Sequence, residues 1–157
     1  MDYFPIALEI KNKNVLVVGG GNVARRKASS LLEARACVRI IAPFASFEVR
    51  ELDRTGKVEW VRRKVKKSDI KNASLIVAAT DDPNVNAKVS KWSKEKGITI
   101  NVVDDPGLSD YISPAVARFD EAMIAVYTDG KDPVLSRDLK NYLKEKWHDF
   151  LLFRNRS

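Results

Sequence analysis

Val15-Leu16-Val17-Val18-Gly19-Gly20-Gly21-Asn22-Val23-Ala24 is the stretch that decides the fold. Apolar residues of strand type run directly into three glycines, and Val23, Ala24, Ala28, Leu31 and Leu32 then recur at helical spacing. This is a strand-loop-helix unit, and Gly19 to Ala24 fits G-x-G-x-x-A within it. In that setting glycines permit a tight turn and close phosphate approach, while the helix amino end offers unpaired N–H groups and a favourable dipole to a pyrophosphate. Gly19, Gly21, Asn22 and Val23 are therefore candidate dinucleotide contacts. The same pattern also serves as a tight structural turn.

Working outward, strand-like runs alternate with amphipathic stretches. Strands are expected at Cys37 to Ile41, Val58 to Val61, Leu75 to Ala79 and Thr99 to Val103, and helices over Phe47 to Arg54 and from Pro83 to about Lys96. That order builds a parallel sheet covered on both faces. Ala115 to Phe119 and Met123 to Tyr127 read as a hairpin, and one final helix begins near Pro133 with a stripe of Leu135, Leu139, Tyr142, Leu143 and Trp147. The fold class is α/β, a Rossmann-like doubly wound parallel sheet with a C-terminal strand pair and helix. Residues 1–112 form the nucleotide-binding domain, and 113–157 a dimerisation extension of the same unit.

Ligands of doubly wound sheets collect at the carboxyl ends of the strands. Thr80 and Asp81 end one strand there, Asn101 and Val102 another. Their alternative roles are helix capping for Thr80 and Asp81 and loop support for Asn101. A ribose-binding acid normally closes the second strand, about twenty residues after the glycines. Here the chain reads Ile41-Ala42-Pro43-Phe44, which leaves NAD against NADP open. The first later acid, Glu48, is expected too far into the next helix, so backbone contacts at Pro43 and Phe44 take its place.

Composition narrows the partners. With 157 residues, 45% of them hydrophobic and 31% charged, the chain suits one buried core. No apolar run approaches the ~20 residues of a membrane span, and the Met1-to-Pro5 start lacks a secretory signal, so a cytoplasmic protein is expected. Cys37 is expected as a buried strand thiol, and His148 as a packing residue without metal partners. A net charge of +7 favours anionic ligands. The run from Arg62 to Lys67 reads as solvated surface, and without a nucleic-acid-binding signature no nucleic acid is expected.

Phe4-Pro5-Ile6, the glycine block, Ala78-Ala79-Thr80-Asp81-Asp82, Asn101-Val102-Val103-Asp104, Ile112-Ser113-Pro114 and Pro133-Val134-Leu135-Ser136-Arg137 together resemble the precorrin-2 dehydrogenase module of siroheme synthases. The resemblance covers roughly residues 3 to 143. It implies NAD as cofactor and oxidation of precorrin-2 to sirohydrochlorin, with ferrochelatase chemistry at the same site in some relatives. It implies Asp104 as the catalytic acid-base residue, Ser113, Thr128 and Gly130 as substrate contacts, and an anionic tetrapyrrole as the partner of the basic surplus. It also implies a large cleft and a homodimer.

Two residues depart from the family pattern: Arg35 stands where glycine is favoured after the first helix, and Asp129-Gly130 replaces paired glycines. Relatives also continue beyond the point at which this chain stops. A non-catalytic NAD(H)-sensing module is the competing class; such modules usually keep the strand-end acid that is absent here.

Overall fold

The computed structural model describes residues 3–155 except 104. Five strands, β1 (Asn14–Val18), β2 (Cys37–Ile41), β3 (Val58–Val61), β4 (Leu75–Ala78) and β5 (Ile100–Val102), form one parallel sheet in the order β3-β2-β1-β4-β5. The chain builds outward from β1 to β3, then returns to place β4 on the other side of β1. That reversal creates the crevice in which doubly wound folds bind ligands.

Burial on both faces explains the unbroken apolar run of β1. Val15, Val17, Val38, Ile40 and Val77 face one core, sealed by Ala24 and Ala28 of α1 (Asn22–Glu33) and Val49 of α2 (Phe47–Arg54). Leu16, Val18, Ile41, Ile76 and Ile100 face the other, covered by Val89 of α3 (Pro83–Glu95) and by Ile70. The small side chains of α1 let that helix lie close to the sheet. Pro83 opens α3, where Asp82 Oδ1 accepts the Asn84 amide at 2.9 Å, and α2 is capped by Ser46.

Only a 3-10 turn, Lys67–Ile70, joins β3 to β4. Asp69 anchors it, accepting from Arg63 at 2.8 and 2.7 Å and from the Lys66 amide at 2.7 Å. Lys67 pairs with Glu95. The basic run is thus partly tied down, rather than wholly solvated as its composition suggested. With no full helix over this part of the sheet, Cys37 is exposed rather than buried, and a cavity of about 550 Å³ opens at the amino ends of β1 to β3, lined in part by Cys37, Arg39, Lys57 and Asp69. The place of Cys37 at the start of an apolar run suggested burial; that run carried no information on whether this face of the strand is covered.

The chain divides into two compact units, the first being Pro5–Tyr111. The second joins the residues before Pro5 to the chain from Ile112 onward and holds β6 (Ala115–Arg118) paired antiparallel with β7 (Met123–Val126). The expected single final helix is two, α4 (Pro133–Glu145) and α5 (Trp147–Arg154). The axis restarts where Trp147 stacks on Phe119, with ring centroids 4.0 Å apart. His148 is exposed on α5. No described helix is long and apolar enough to cross a membrane.

Candidate functional site: a glycine loop and a hydroxyl-lined cavity

The three glycines have three different physical reasons. Gly19 sits at φ +123°, where a Cβ would lie 2.2 Å from the Ala79 carbonyl oxygen; Gly20 would drive a Cβ to 2.2 Å from the Phe44 carbonyl oxygen. Both are demanded by backbone packing inside the protein. A Cβ on Gly21 would meet nothing within 4 Å. Its openness is what a bound pyrophosphate needs, since close phosphate approach requires bare backbone at this position of the motif. Gly21 is also the N-cap of α1, with no side-chain cap and no acid in the first turn, so the helix end is available to an anion. Asn22 is exposed, and Val23 packs partly against the first core. The residues present fit a dinucleotide.

Along the same strand edge, Pro43 is exposed and Phe44 is 81% exposed just beyond β2. Thr80 is more committed than its sequence position suggested. Its hydroxyl lies 2.7 Å from Asn86 Oδ1 and 3.0 Å from the Asp82 carbonyl, and the Asn86 amide donates to the Thr80 carbonyl at 2.9 Å. Asn86 was missed from sequence. A polar residue on the buried face of α3 was its only signal; the partner across the loop had none. Asp81 is exposed in this turn.

Asn101 is 6% exposed and donates to the Tyr111 carbonyl at 3.0 Å, the loop-supporting alternative, while its Oδ1 has no partner among the described residues. Val102 faces the second core, and its amide and carbonyl both engage the Ser109 hydroxyl, at 2.8 and 3.1 Å. Its side chain therefore points into the protein rather than toward the strand edge.

Asp104 lies outside the described residues. Its neighbour Asp105 caps the 3-10 turn Pro106–Leu108, Oδ1 accepting the Leu108 amide at 3.2 Å. Asp110 locks the same segment back onto β5 by accepting the Ile100 amide at 3.0 Å. Burial pushes the Tyr111 phenol well above its ordinary value, so it stays protonated.

In the second unit, Ser113, Thr128 and Gly130 line one cavity of about 230 Å³ together with Pro114, Tyr127 and Ser136. The hydroxyls of Thr128 and Ser136 lie 2.8 Å apart. Asp129 and Gly130 both adopt the left-handed region, at φ 52° and 72°, so the departure from paired glycines places a side chain at a strained position. Among the described residues no group of three or more His, Cys, Asp or Glu stands ready to hold a metal.

Known proteins share this arrangement. The family model described as "Putative NAD(P)-binding" matches residues 6–115. Siroheme synthase 3 of Aeromonas hydrophila is 42% identical over 144 residues, 92% of this chain and 31% of that protein. Siroheme synthase of Methylococcus capsulatus is 41% identical over 92% of this chain and 30% of its own length. The chain thus spans about a third of these relatives. The solved structure of SirC, precorrin-2 dehydrogenase, superposes with a TM-score of 0.78 at 30% identity, covering 92% of this chain and 71% of that one. The chain belongs to the NAD(P)-binding family that includes precorrin-2 dehydrogenase and the matching part of siroheme synthases.

Proposed function

We propose that this chain oxidises precorrin-2 to sirohydrochlorin with NAD. The observation that carries the reading is the Gly21 loop, open where its two neighbouring glycines are filled, in a chain with the precorrin-2 dehydrogenase fold over 92% of its length. The oxidation removes a hydride and a proton from the macrocycle. NAD supplies the hydride acceptor.

The protein's own contribution is binding, orientation and proton handling. Gly19, Gly21, Asn22 and Val23 present backbone to the pyrophosphate, Pro43 and Phe44 flank the adenosine, and Thr80, Asp81, Asn101 and Val102 border the nicotinamide end. Asn101 Oδ1, a buried acceptor without a partner among the described residues, is suited to receive a ligand N–H. Asp104 takes the proton, a role it holds by family resemblance. The cavity at Ser113, Thr128 and Gly130 is smaller than the ~300 Å³ at which small-molecule pockets begin. It accommodates one carboxylated arm of the substrate rather than the ring, with the hydroxyls that line it as donors.

The same reading places the protein in the cytoplasm, whose reducing conditions suit the free Cys37. It also makes the protein a homodimer, because α4 and α5 leave Leu135, Tyr142 and Phe153 uncovered. Anaerobic incubation with precorrin-2 and NAD should yield NADH and sirohydrochlorin in equal amounts. Asp104→Asn should lower turnover on the order of a hundredfold at unchanged NAD affinity, and Asp105→Asn much less. NAD binding without any product, at high enzyme concentration, would instead support a sensing module.

A further inference from the structure

We propose that Glu48 reads the adenosine ribose and turns away a 2′-phosphate, the task left vacant by the missing acid at the end of β2. The inference rests on the NAD reading above and assigns the cofactor preference of that site to one residue.

From sequence, Glu48 lies too far into α2 to serve. The structure brings it back. After β2 the chain folds over the glycine loop, with Phe44 carbonyl and Ala45 filling the space beside Gly20, and the Ser46 amide donates to the Gly20 carbonyl at 2.8 Å. Ser46 Oγ in turn accepts the Val49 amide at 3.3 Å. The first turn of α2 is thereby pinned to the phosphate loop, and Glu48, two residues past the cap, stands at the carboxyl edge of the sheet.

Glu48 is exposed, so a ligand can reach it. Hydrogen bonds from its own amide and from the Ser46 hydroxyl, with a further pull from Arg25 of α1, hold its carboxyl below the usual range. It is therefore ionised at neutral pH, and the Ser46–Gly20 backbone bond keeps the first turn of α2, which carries it, beside the glycine loop. The other acids of α2 are engaged elsewhere: Glu51 accepts from Arg54 at 2.9 to 3.2 Å, and Asp53 accepts the Trp60 amide at 2.9 Å.

A carboxylate here accepts hydrogen bonds from the ribose hydroxyls, as the strand-end acid does in other Rossmann domains. A 2′-phosphate would meet like charge. Arg25 of α1 is near enough to pull on the Glu48 carboxylate, and it is the cation that would favour such a phosphate once that charge is removed.

The test is calorimetric titration of the full chain with NAD and with NADP, for wild type, Glu48→Gln, and Glu48→Gln combined with Arg25→Gln, each checked for an unchanged melting temperature. Wild type should prefer NAD. Glu48→Gln should weaken NAD roughly tenfold, by loss of a charged hydrogen-bond acceptor, and strengthen NADP. Adding Arg25→Gln should remove only the NADP gain. An unchanged NAD-to-NADP ratio in Glu48→Gln, with wild type binding NAD, overturns the role of Glu48 alone. Wild type binding neither dinucleotide overturns the nucleotide reading and this inference with it.

Discussion

The unit over Pro5–Tyr111 and the unit beginning at Ile112 solve burial differently. In the first, helices cover both faces of the sheet except near the amino ends of β1 to β3, and Val15, Val17, Ile40, Ile76 and Ile100 are at most 1% exposed. In the second, α4 and α5 cover a two-stranded hairpin with one part of their surface and leave Leu139 41% and Tyr142 57% exposed. The sheet buries its large apolar side chains within its own unit. Helices that keep apolar side chains in water point to a surface completed by something else, here assigned to a second copy of the chain.

The comparison breaks first at Gly19. Gly19→Ala puts a methyl against the Ala79 backbone at a left-handed φ and should destabilise the sheet unit by at least about 3 kcal/mol, read as a large fall in denaturant midpoint. A near-wild-type midpoint would mean that the loop is not held by this packing. Arg35 sharpens it at smaller scale. Arg35 closes α1 at φ 59°, its amide bonded to Leu32 at 2.8 Å. Arg35→Gly relieves that strain and should stabilise by about 1 kcal/mol; a loss of stability would show that the side chain contributes more than the strain costs.

The smallest effect on folding is expected in the other unit. Leu139→Lys, on the exposed stripe of α4, should change unfolding of the isolated protomer by less than ~0.5 kcal/mol. In sedimentation at micromolar concentration it should shift dimer to monomer. A wild type that is already monomeric removes the second copy from the explanation and leaves the stripe without one.

The β1-glycine-α1 unit and the starts of α3 near Pro83 and α4 near Pro133 were readable because they depend on neighbours within a few residues. What escaped depends on distant ones. Gly19, Gly20 and Gly21 look alike in sequence and separate only when Ala79 and Phe44 arrive beside two of them. Glu48 was discounted on linear spacing, which carries no sign of the Ser46–Gly20 bond that pins the start of α2 to the glycine loop. Cys37 was expected to be buried because it starts an apolar run, and the short β3–β4 connection leaves it bare. The break between α4 and α5 coincides with a ring stack to Phe119, twenty-eight residues away in the chain. Asp104 was singled out only through its family motif and lies outside the described residues.

Gly21 tests the nucleotide site most directly, because its side-chain space is empty in the protein and is required only by a ligand. Gly21→Leu should fold and melt like wild type, within ~1 kcal/mol, while NAD binding measured by calorimetry disappears. A folded Gly21→Leu protein that binds NAD with wild-type affinity would contradict the phosphate site and the function built on it.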